Sequence, residues 1–286
     1  MIEYTQYRKL PKEYIKKKIS EFLKEDIPDI DKTTAGTIPA KAVSTALIIP
    51  EEDIVFAGAD IIKFFFEKGF NCKIFAKDGE QIKKEKVIAS IKGNSGKILS
   101  YERVLLNLLQ RLCGIASLTR EYVKIAEPYK VRILDTRKTI PGLRLFEKYA
   151  VTVGGGWNHR LDLSTGILIK DNHIQAAGGI TNAIIKIKKK NYKLPIELEV
   201  ENLEQIKEGI TAGIDGFLLD NMSPDKIKKC VSFIRSLPGG KNIFIEASGG
   251  ITLKTLPAYV KTGIDAISIG ALTHSAKAAN IHIEFE

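Results

Sequence analysis

IELEVENLEQIKEGITAGIDGFLLD, residues 196–220, reads as one strand–helix–strand unit. IELEV and GFLLD are short apolar runs, and Leu203 to Ala212 between them is helix-like. The same rhythm extends in both directions. VRILD (131–135) and GILIK (166–170) precede it; NIFIEA (242–247) and DAISIG (265–270) follow, with helix-like stretches at Pro224 to Leu237 and Thr252 to Thr262. Short strands alternating with amphipathic helices point to a parallel sheet or barrel. Near-continuous apolar strands are what a sheet buried on both faces requires.

The ends of these six runs carry polar residues. Asp135 with Arg137 and Lys138, then Lys170, Glu199, Asp220, Glu246 with Ser248, and Gly270 sit at or just past successive strand ends. In β/α barrels the C-terminal rim is where sites are built, so a scattered linear set becomes one ring around one mouth. EASGGI (246–251) and IGALTHSA (269–276) place glycines after the last two strands. There the backbone can approach a ligand, and free amides at the next helix favour a phosphate. Glu199 and Asp220, beside that site, suit either Mg²⁺ or ribose hydroxyls, or simply balance Lys170 and the arginines.

Leu134 to Ile174 holds most of the remaining polar chemistry: Arg137, Lys138, Arg144, His159, Arg160, Lys170 and His173, with a triple glycine at Gly154 to Gly156. Arg and Lys are rarely buried without partners. Cations at strand ends beside a glycine loop fit a small molecule with several negative charges. His159, next to Arg160, is read as a ligand contact.

Bulk properties set limits. The chain has 286 residues, 44% hydrophobic and 27% charged, an ordinary globular composition fitting one large barrel or two domains. Net charge is +10. Nucleic-acid binding would account for such a charge, but the lysines fall in surface-helix runs mixed with acidic residues and lack interleaved aromatics, so no nucleic-acid partner is expected. No apolar run approaches a membrane span, and MIEYTQYRKL at the start lacks the apolar core of a secretory signal; a cytoplasmic location is expected. Cys72, Cys113 and Cys230 show no metal-ligand spacing, and no disulfide framework is expected.

Residues 1–110 read as mixed α and β. Tyr14 to Glu25 and Ala57 to Lys68 are expected helices; Thr45 to Ile49, Cys72 to Ala76 and Val87 to Lys92 are expected strands; EDIPDIDKTTAG is expected to be a polar loop. GNSG is expected to close this region, and Tyr101 to Leu109 to begin a long apolar helix.

DTRKTIPGLR (135–144), the EKYAV–GGG–NHR run (147–160) and LIKDNHI (168–174) together resemble quinolinate phosphoribosyltransferase. EDIPDIDKTT, ERVLLNLLQRLCGIAS, ELEVENLEQ, LLDNMSP, EASGGI and IGALTHS are similar to that family in the same order, so the resemblance covers nearly the whole chain. It implies an open seven-stranded α/β barrel, residues 111–274, with a smaller N-terminal α/β sandwich, residues 1–110, onto which the tail 275–286 returns. One barrel strand is then missing from the six runs read above, or is irregular.

The resemblance implies transfer of phosphoribosyl from phosphoribosyl pyrophosphate to quinolinate, giving nicotinate mononucleotide, pyrophosphate and CO₂ in NAD biosynthesis, with Mg²⁺ and no tightly bound organic cofactor. It implies a homodimer, or a hexamer built as a trimer of dimers, in which Arg103 reaches the partner's site. Thr136, Arg137, Lys138, His159, Arg160 and Lys170 match the acceptor pocket. Glu199 and Asp220 match the ribose and metal side; Ser248, Gly249, Gly250, Ile269, Gly270 and Ala271 match the phosphate loops, with His274 near them. Lys138, Lys170, Glu199 and Asp220 carry the implied catalytic roles, without a covalent protein nucleophile. Asp162 stands where many members have Gly, Thr165 where many have Asp, and the second Gly of EASGGI where many have Asn. Asp162 and Thr165 replace no residue assigned to binding, and the second Gly of EASGGI is a mild change within the phosphate loop. A paralogous transferase of the same fold with another acceptor is the competing reading. The intact NHR and KDNH runs argue against it, and a nicotinate acceptor, with one carboxylate, would need fewer cations.

Overall fold

The computed structural model describes residues Ile2–Glu286. In chain order, α1 (Lys12–Asp26) and α2 (Lys32–Thr37) lead to β1 (Val43–Pro50) and β2 (Ile54–Val55). Then come α3 (Ala59–Phe65), β3 (Asn71–Ile74), β4 (Gln81–Ile82), β5 (Ala89–Asn94) and α4 (Ser95–Ala126). β6 (Arg132–Leu134), α5 (Arg144–Val153), β7 (Ile167–Ile169), α6 (Asp171–Ala177) and α7 (Ile180–Lys190) follow. β8 (Ile196–Val200), α8 (Leu203–Ala212), β9 (Gly216–Asp220), α9 (Pro224–Ser236) and β10 (Phe244–Ser248) continue the alternation. α10 (Leu256–Tyr259), β11 (Ala266–Ser268), α11 (Ala271–His274) and β12 (Ile281–Phe285) complete the chain.

The chain forms two compact units. One comprises Tyr7–Arg120, Leu145–Gly155 and Ser275–Glu286; the other comprises the N-terminal segment through Gln6, Glu121–Arg144 and Gly156–His274. A single cut at residue 110 does not describe this partition. α4 is one unbroken helix through that point, and GNSG forms no separating loop, because β5 runs straight into α4. α5 belongs with the first unit, where Phe146 packs on Tyr14 of α1 at 5.1 Å between ring centroids.

In that unit an antiparallel sheet has the order β12-β1-β5-β3. The tail strand β12 pairs with β1 from Ala46↔Phe285 to Pro50↔Ile281. It is tied to α4 as well: the Ala279 amide donates to Gln110 O and the Gln110 side chain to Ile281 O, both at 2.8 Å. The segment read as a polar loop contains α2, because the Asp31 carboxylate accepts from the Thr34 amide and caps a helical turn.

In the other unit the parallel sheet runs β6-β11-β10-β9-β8-β7. The seventh strand is a single parallel bridge, Leu134↔Trp157, on the far side of β6. The Trp157 amide donates to Ile133 O and the Asp135 amide to Trp157 O. Consecutive strands are therefore neighbours except Trp157 and β7, between which the open seven-stranded α/β barrel has its gap. The helix expected over Thr252 to Thr262 is only α10 plus a 3₁₀ turn at Val260–Thr262. The start of the chain closes the base of the barrel: Ile2, Leu134, Phe244 and Ala266 form a buried cluster against which Tyr4 and Trp157 pack.

Gly114 in α4 is where the tail crosses most closely, since a Cβ there would lie 1.9 Å from Lys277 O. Gly36, in α2, has no atom within 4 Å of the same position. Overpacking of this kind costs about 1–3 kcal/mol, so Gly114→Ala is expected to lower Tm by about 2–12 °C in a scanning calorimeter. Gly36→Ala is expected to leave Tm unchanged or raise it slightly.

Candidate active site

Because the strands run in parallel register, their C-terminal ends surround one cavity of about 650 Å³. Thr136, Arg137, Lys138, His159, Arg160, Lys170, Glu199, Asp220, Ser248, Gly249, Gly250, Ile269, Gly270, Ala271 and His274 all line it. Arg103 does not; it is exposed on α4 in the other unit.

One wall is cationic. Arg160 is 6% exposed, and its guanidinium donates to Gly166 O at 2.9 Å. Its pKa is lowered, first by burial and then by the neighbouring charge of Arg137. The Nε of Arg137 is itself buried and has no hydrogen-bond partner. Two guanidinium groups that repel each other, one with an unpartnered donor, form a site that an anion would stabilise.

The loop carrying this wall is fixed from below. Asp135, fully buried, accepts from the His159 amide at 2.9 Å and from the Asn158 side chain at 2.6 Å. The Arg160 amide donates to Nδ1 of His159 at 2.8 Å. That nitrogen therefore carries no proton, and the neutral ring holds its proton on Nε2. Nε2 faces Glu197 Oε2 at 3.3 Å and Glu246 Oε2 at 3.7 Å. Burial lowers the His159 pKa, but Glu246, Glu197 and Asp135 together outweigh it and the net shift is upward. The amide contact decides which nitrogen holds the proton. Tyr4 stacks on His159, with centroids 4.4 Å apart, and donates to Glu197 at 3.0 Å.

The other wall carries a balanced ion pair and two glycine turns. Lys170 is ion-paired with Glu199. Asp220 accepts from the Asn221 side chain at 2.7 Å. Asn221 has a positive φ of 51°, and its amide donates to Ser248 O. This holds the β9 and β10 ends together and leaves no room beside Gly249, where a Cβ would lie 2.2 Å from Asn221 Oδ1. Gly270 makes similar room for Lys138 Cδ, 2.9 Å from a Cβ placed there.

Several residues from the cation-rich segment lie elsewhere. Arg144 donates to Thr139 Oγ1 and Leu161 O, and His173 accepts the Lys170 amide at the start of α6. The glycine run does not line the cavity. Gly154 ends α5 close against α4, where its added Cβ would meet Ala116 O at 2.6 Å. The strand-end pattern puts Glu246 on the rim without a binding role, and no motif in the sequence singles out Glu197 or Tyr4. Alternation along IELEV does place Glu197 on the same face as Glu199. Nothing local marks Tyr4.

Among the described residues, His159, Glu197 and Glu246 are the one His/Cys/Asp/Glu group whose ligand atoms lie within 4.8 Å of one another. The group does not suit a cation, because a metal on Nε2 would need the proton on Nδ1, which accepts an amide instead. Glu199 and Asp220 offer hard oxygen ligands on the cavity wall.

Gly249→Ala forces the new methyl against Asn221 at a positive φ of 97°. The variant is expected to displace the Ser248–Gly250 turn and, at a strain cost of about 1–3 kcal/mol, to lower Tm in a scanning calorimeter.

The model of the quinolinate phosphoribosyl transferase N-terminal domain matches residues 31–113, and that of the C-terminal domain matches residues 115–284. A probable nicotinate-nucleotide pyrophosphorylase [carboxylating] of Bacillus subtilis (strain 168) is 44% identical over 274 residues, 94% of this chain and 93% of the relative. The nicotinate-nucleotide pyrophosphorylase [carboxylating] of Mycobacterium leprae (strain TN) is 35% identical over 93% of this chain and 95% of its own. The solved structure of the nicotinate-nucleotide pyrophosphorylase from Francisella tularensis superposes with a TM-score of 0.92 at 36% identity, covering 99% of this chain and 100% of that one. With both domain models matched in order and the barrel rim built as described, the chain belongs to the quinolinate phosphoribosyl transferase family.

Proposed function

We propose that this protein transfers phosphoribosyl from phosphoribosyl pyrophosphate to quinolinate and releases pyrophosphate and CO₂, forming nicotinate mononucleotide for NAD biosynthesis. The observation that carries this reading is the Arg137–Arg160 pair, two crowded guanidinium groups with a buried, unpartnered Nε on the cavity wall. A pyridine with two adjacent carboxylates satisfies both cations; a monocarboxylate satisfies one. The carboxylating activity in the names of the Bacillus subtilis and Mycobacterium leprae relatives supports the same acceptor.

In this reading His159 sets the orientation of Arg160 through its Nδ1 and forms part of the acceptor wall, with Thr136 beside it. The Ser248–Gly250 turn and the Ile269–Ala271 turn cradle the phosphates, and Lys138 and His274 meet beside Gly270 to neutralise the leaving pyrophosphate. Lys170, paired with Glu199, bridges the acceptor and ribose sides. The ring nitrogen attacks the anomeric carbon as pyrophosphate departs. Glu199 and Asp220 stabilise positive charge developing on the ribose, and no protein group forms a covalent bond. Glu199 and Asp220 would also hold a Mg²⁺ arriving with phosphoribosyl pyrophosphate, and that ion would screen the diphosphate charge. No organic cofactor is needed for these steps.

Arg103, exposed on α4, fits a role in the site of a second copy, in a homodimer or a hexamer built from dimers. No helix among the described residues is long and apolar enough to cross a membrane. A cytoplasmic enzyme without a nucleic-acid partner is the location and company proposed.

Purified protein supplied with quinolinate, phosphoribosyl pyrophosphate and Mg²⁺ is expected to yield nicotinate mononucleotide and CO₂ in equal amounts. Product from nicotinate but none from quinolinate would sink the assignment. Arg137→Ala removes one charged contact to a carboxylate and is expected to raise the quinolinate Kd about ten- to a hundredfold, with phosphoribosyl pyrophosphate affinity little changed.

A further inference from the structure

One layer below the rim, the barrel is filled by ionisable groups where aliphatic side chains usually pack. His159 follows the second strand position, Glu197 lies on β8, the fourth, and Glu246 on β10, the sixth. Alternate strands contribute one layer, and these three converge. Glu197 and Glu246 are both fully buried. They are not equivalent. Glu197 accepts from Tyr4 and faces the Nε2 proton of His159 more closely than Glu246 does. Neither oxygen of Glu246 has a well-formed hydrogen bond, and Glu246, unlike Glu197, lines the cavity.

Two carboxylates this close in a dry interior cannot both be charged. Tyr4 and His159 both face Glu197, so the proton stays on Glu246. Burial first, and the Glu197 charge second, push the Glu246 pKa up to about 8. His159 and the Ser268 hydroxyl of β11 pull the other way, and Asp135 at the end of β6 adds to the rise. On β9, the register partner of Glu246 is Leu218, which carries no charge. Tyr4, its own pKa raised by burial and by both glutamates, remains a donor.

The proposed reaction leaves a demand for a proton. When the carboxylate beside the ring nitrogen departs, its carbon–carbon bond breaks, CO₂ leaves, and the bonding pair stays on the ring carbon next to the cationic nitrogen. That carbon must gain one proton to give nicotinate mononucleotide. Lys170 is held by Glu199 on the ribose side. The protonated carboxyl nearest the acceptor wall is Glu246.

We propose that Glu246 is the catalytic acid that protonates the ring carbon vacated by CO₂, with Glu197 and Tyr4 as the residues that keep its proton in place. Glu246 gives up its proton, becomes a carboxylate, and takes a proton back from water entering the emptied cavity. The inference rests on the quinolinate reading above.

The test compares wild type with Glu246→Gln and Glu246→Asp, following CO₂ and nicotinate mononucleotide from about pH 6 to about pH 10. In wild type the acid is present below its pKa and lost above it, so kcat is expected to hold to about pH 8 and then fall about tenfold per pH unit. Glu246→Gln, the isostere of the neutral acid, is expected to lower kcat about a hundred- to ten-thousandfold, to lose that limb, and to keep quinolinate affinity by equilibrium dialysis. Glu246→Asp is expected to recover part of kcat with the limb restored. Tyr4→Phe provides an independent reading that leaves Glu246 intact: Glu197 loses a donor, the pair holds its proton longer, and the limb is expected to move to higher pH. Wild-type kcat in Glu246→Gln, or a limb unmoved in Tyr4→Phe, overturns the assignment of Glu246 while leaving the quinolinate reading intact. Wild type inactive on quinolinate overturns both.

Discussion

Parallel strands of three to five residues, ending together at one rim, are the constraint on which the site depends. Each strand is too short to carry more than one or two inward side chains, so the residues just past each end converge on the same space. Asp220, Ser248 and Gly270 are separated by more than twenty residues in the chain, yet all line one cavity. The rim also explains why glycine recurs there. Gly249 and Gly270 are positions where Asn221, or Lys138 with His274, already fills the volume a side chain would need.

Charge is distributed unevenly around this mouth. Arg137 and Arg160 crowd each other on one wall, whereas Lys170 and Glu199 neutralise each other on another. The difference separates a wall waiting for an anion from a wall already balanced, where charge can be redistributed as a reaction proceeds. Beneath both lies the His159–Glu197–Glu246 layer, sealed by Tyr4 from the start of the chain. The catalytic rim and the packed base of the barrel are thus joined by one hydrogen-bonded loop, Asn158 to Arg160, anchored on Asp135.

Much of this was legible in the chain. Six strands were readable because a parallel strand buried on both faces must be nearly all apolar, and VRILD, GILIK, IELEV, GFLLD, NIFIEA and DAISIG are. The seventh was not, because Trp157 contributes a single bridge and no apolar run. The long helix α4 was read only in part, and α2 not at all. A six-residue helix fixed by the Asp31 cap has too little periodicity to register. The glycine run at 154–156 was misleading: Gly154 answers to close packing of α5 on α4, a demand made in space by residues nearly forty positions earlier.

The sequence by itself determined the alternation of short strands and helices of a parallel sheet or barrel, the polar strand ends and the excess of cations between Leu134 and Ile174, since each follows from local periodicity and from what must lie at a strand end. Tertiary structure decided the protonation of the interior. Which nitrogen of His159 carries its proton depends on the Arg160 amide, and the hydrogen bond that Glu197 accepts comes from Tyr4, nearly two hundred residues away. No local pattern encodes those choices. They arise because burial removes the water that would otherwise satisfy each group alone, so that protons are allotted by whichever partners the fold brings within reach.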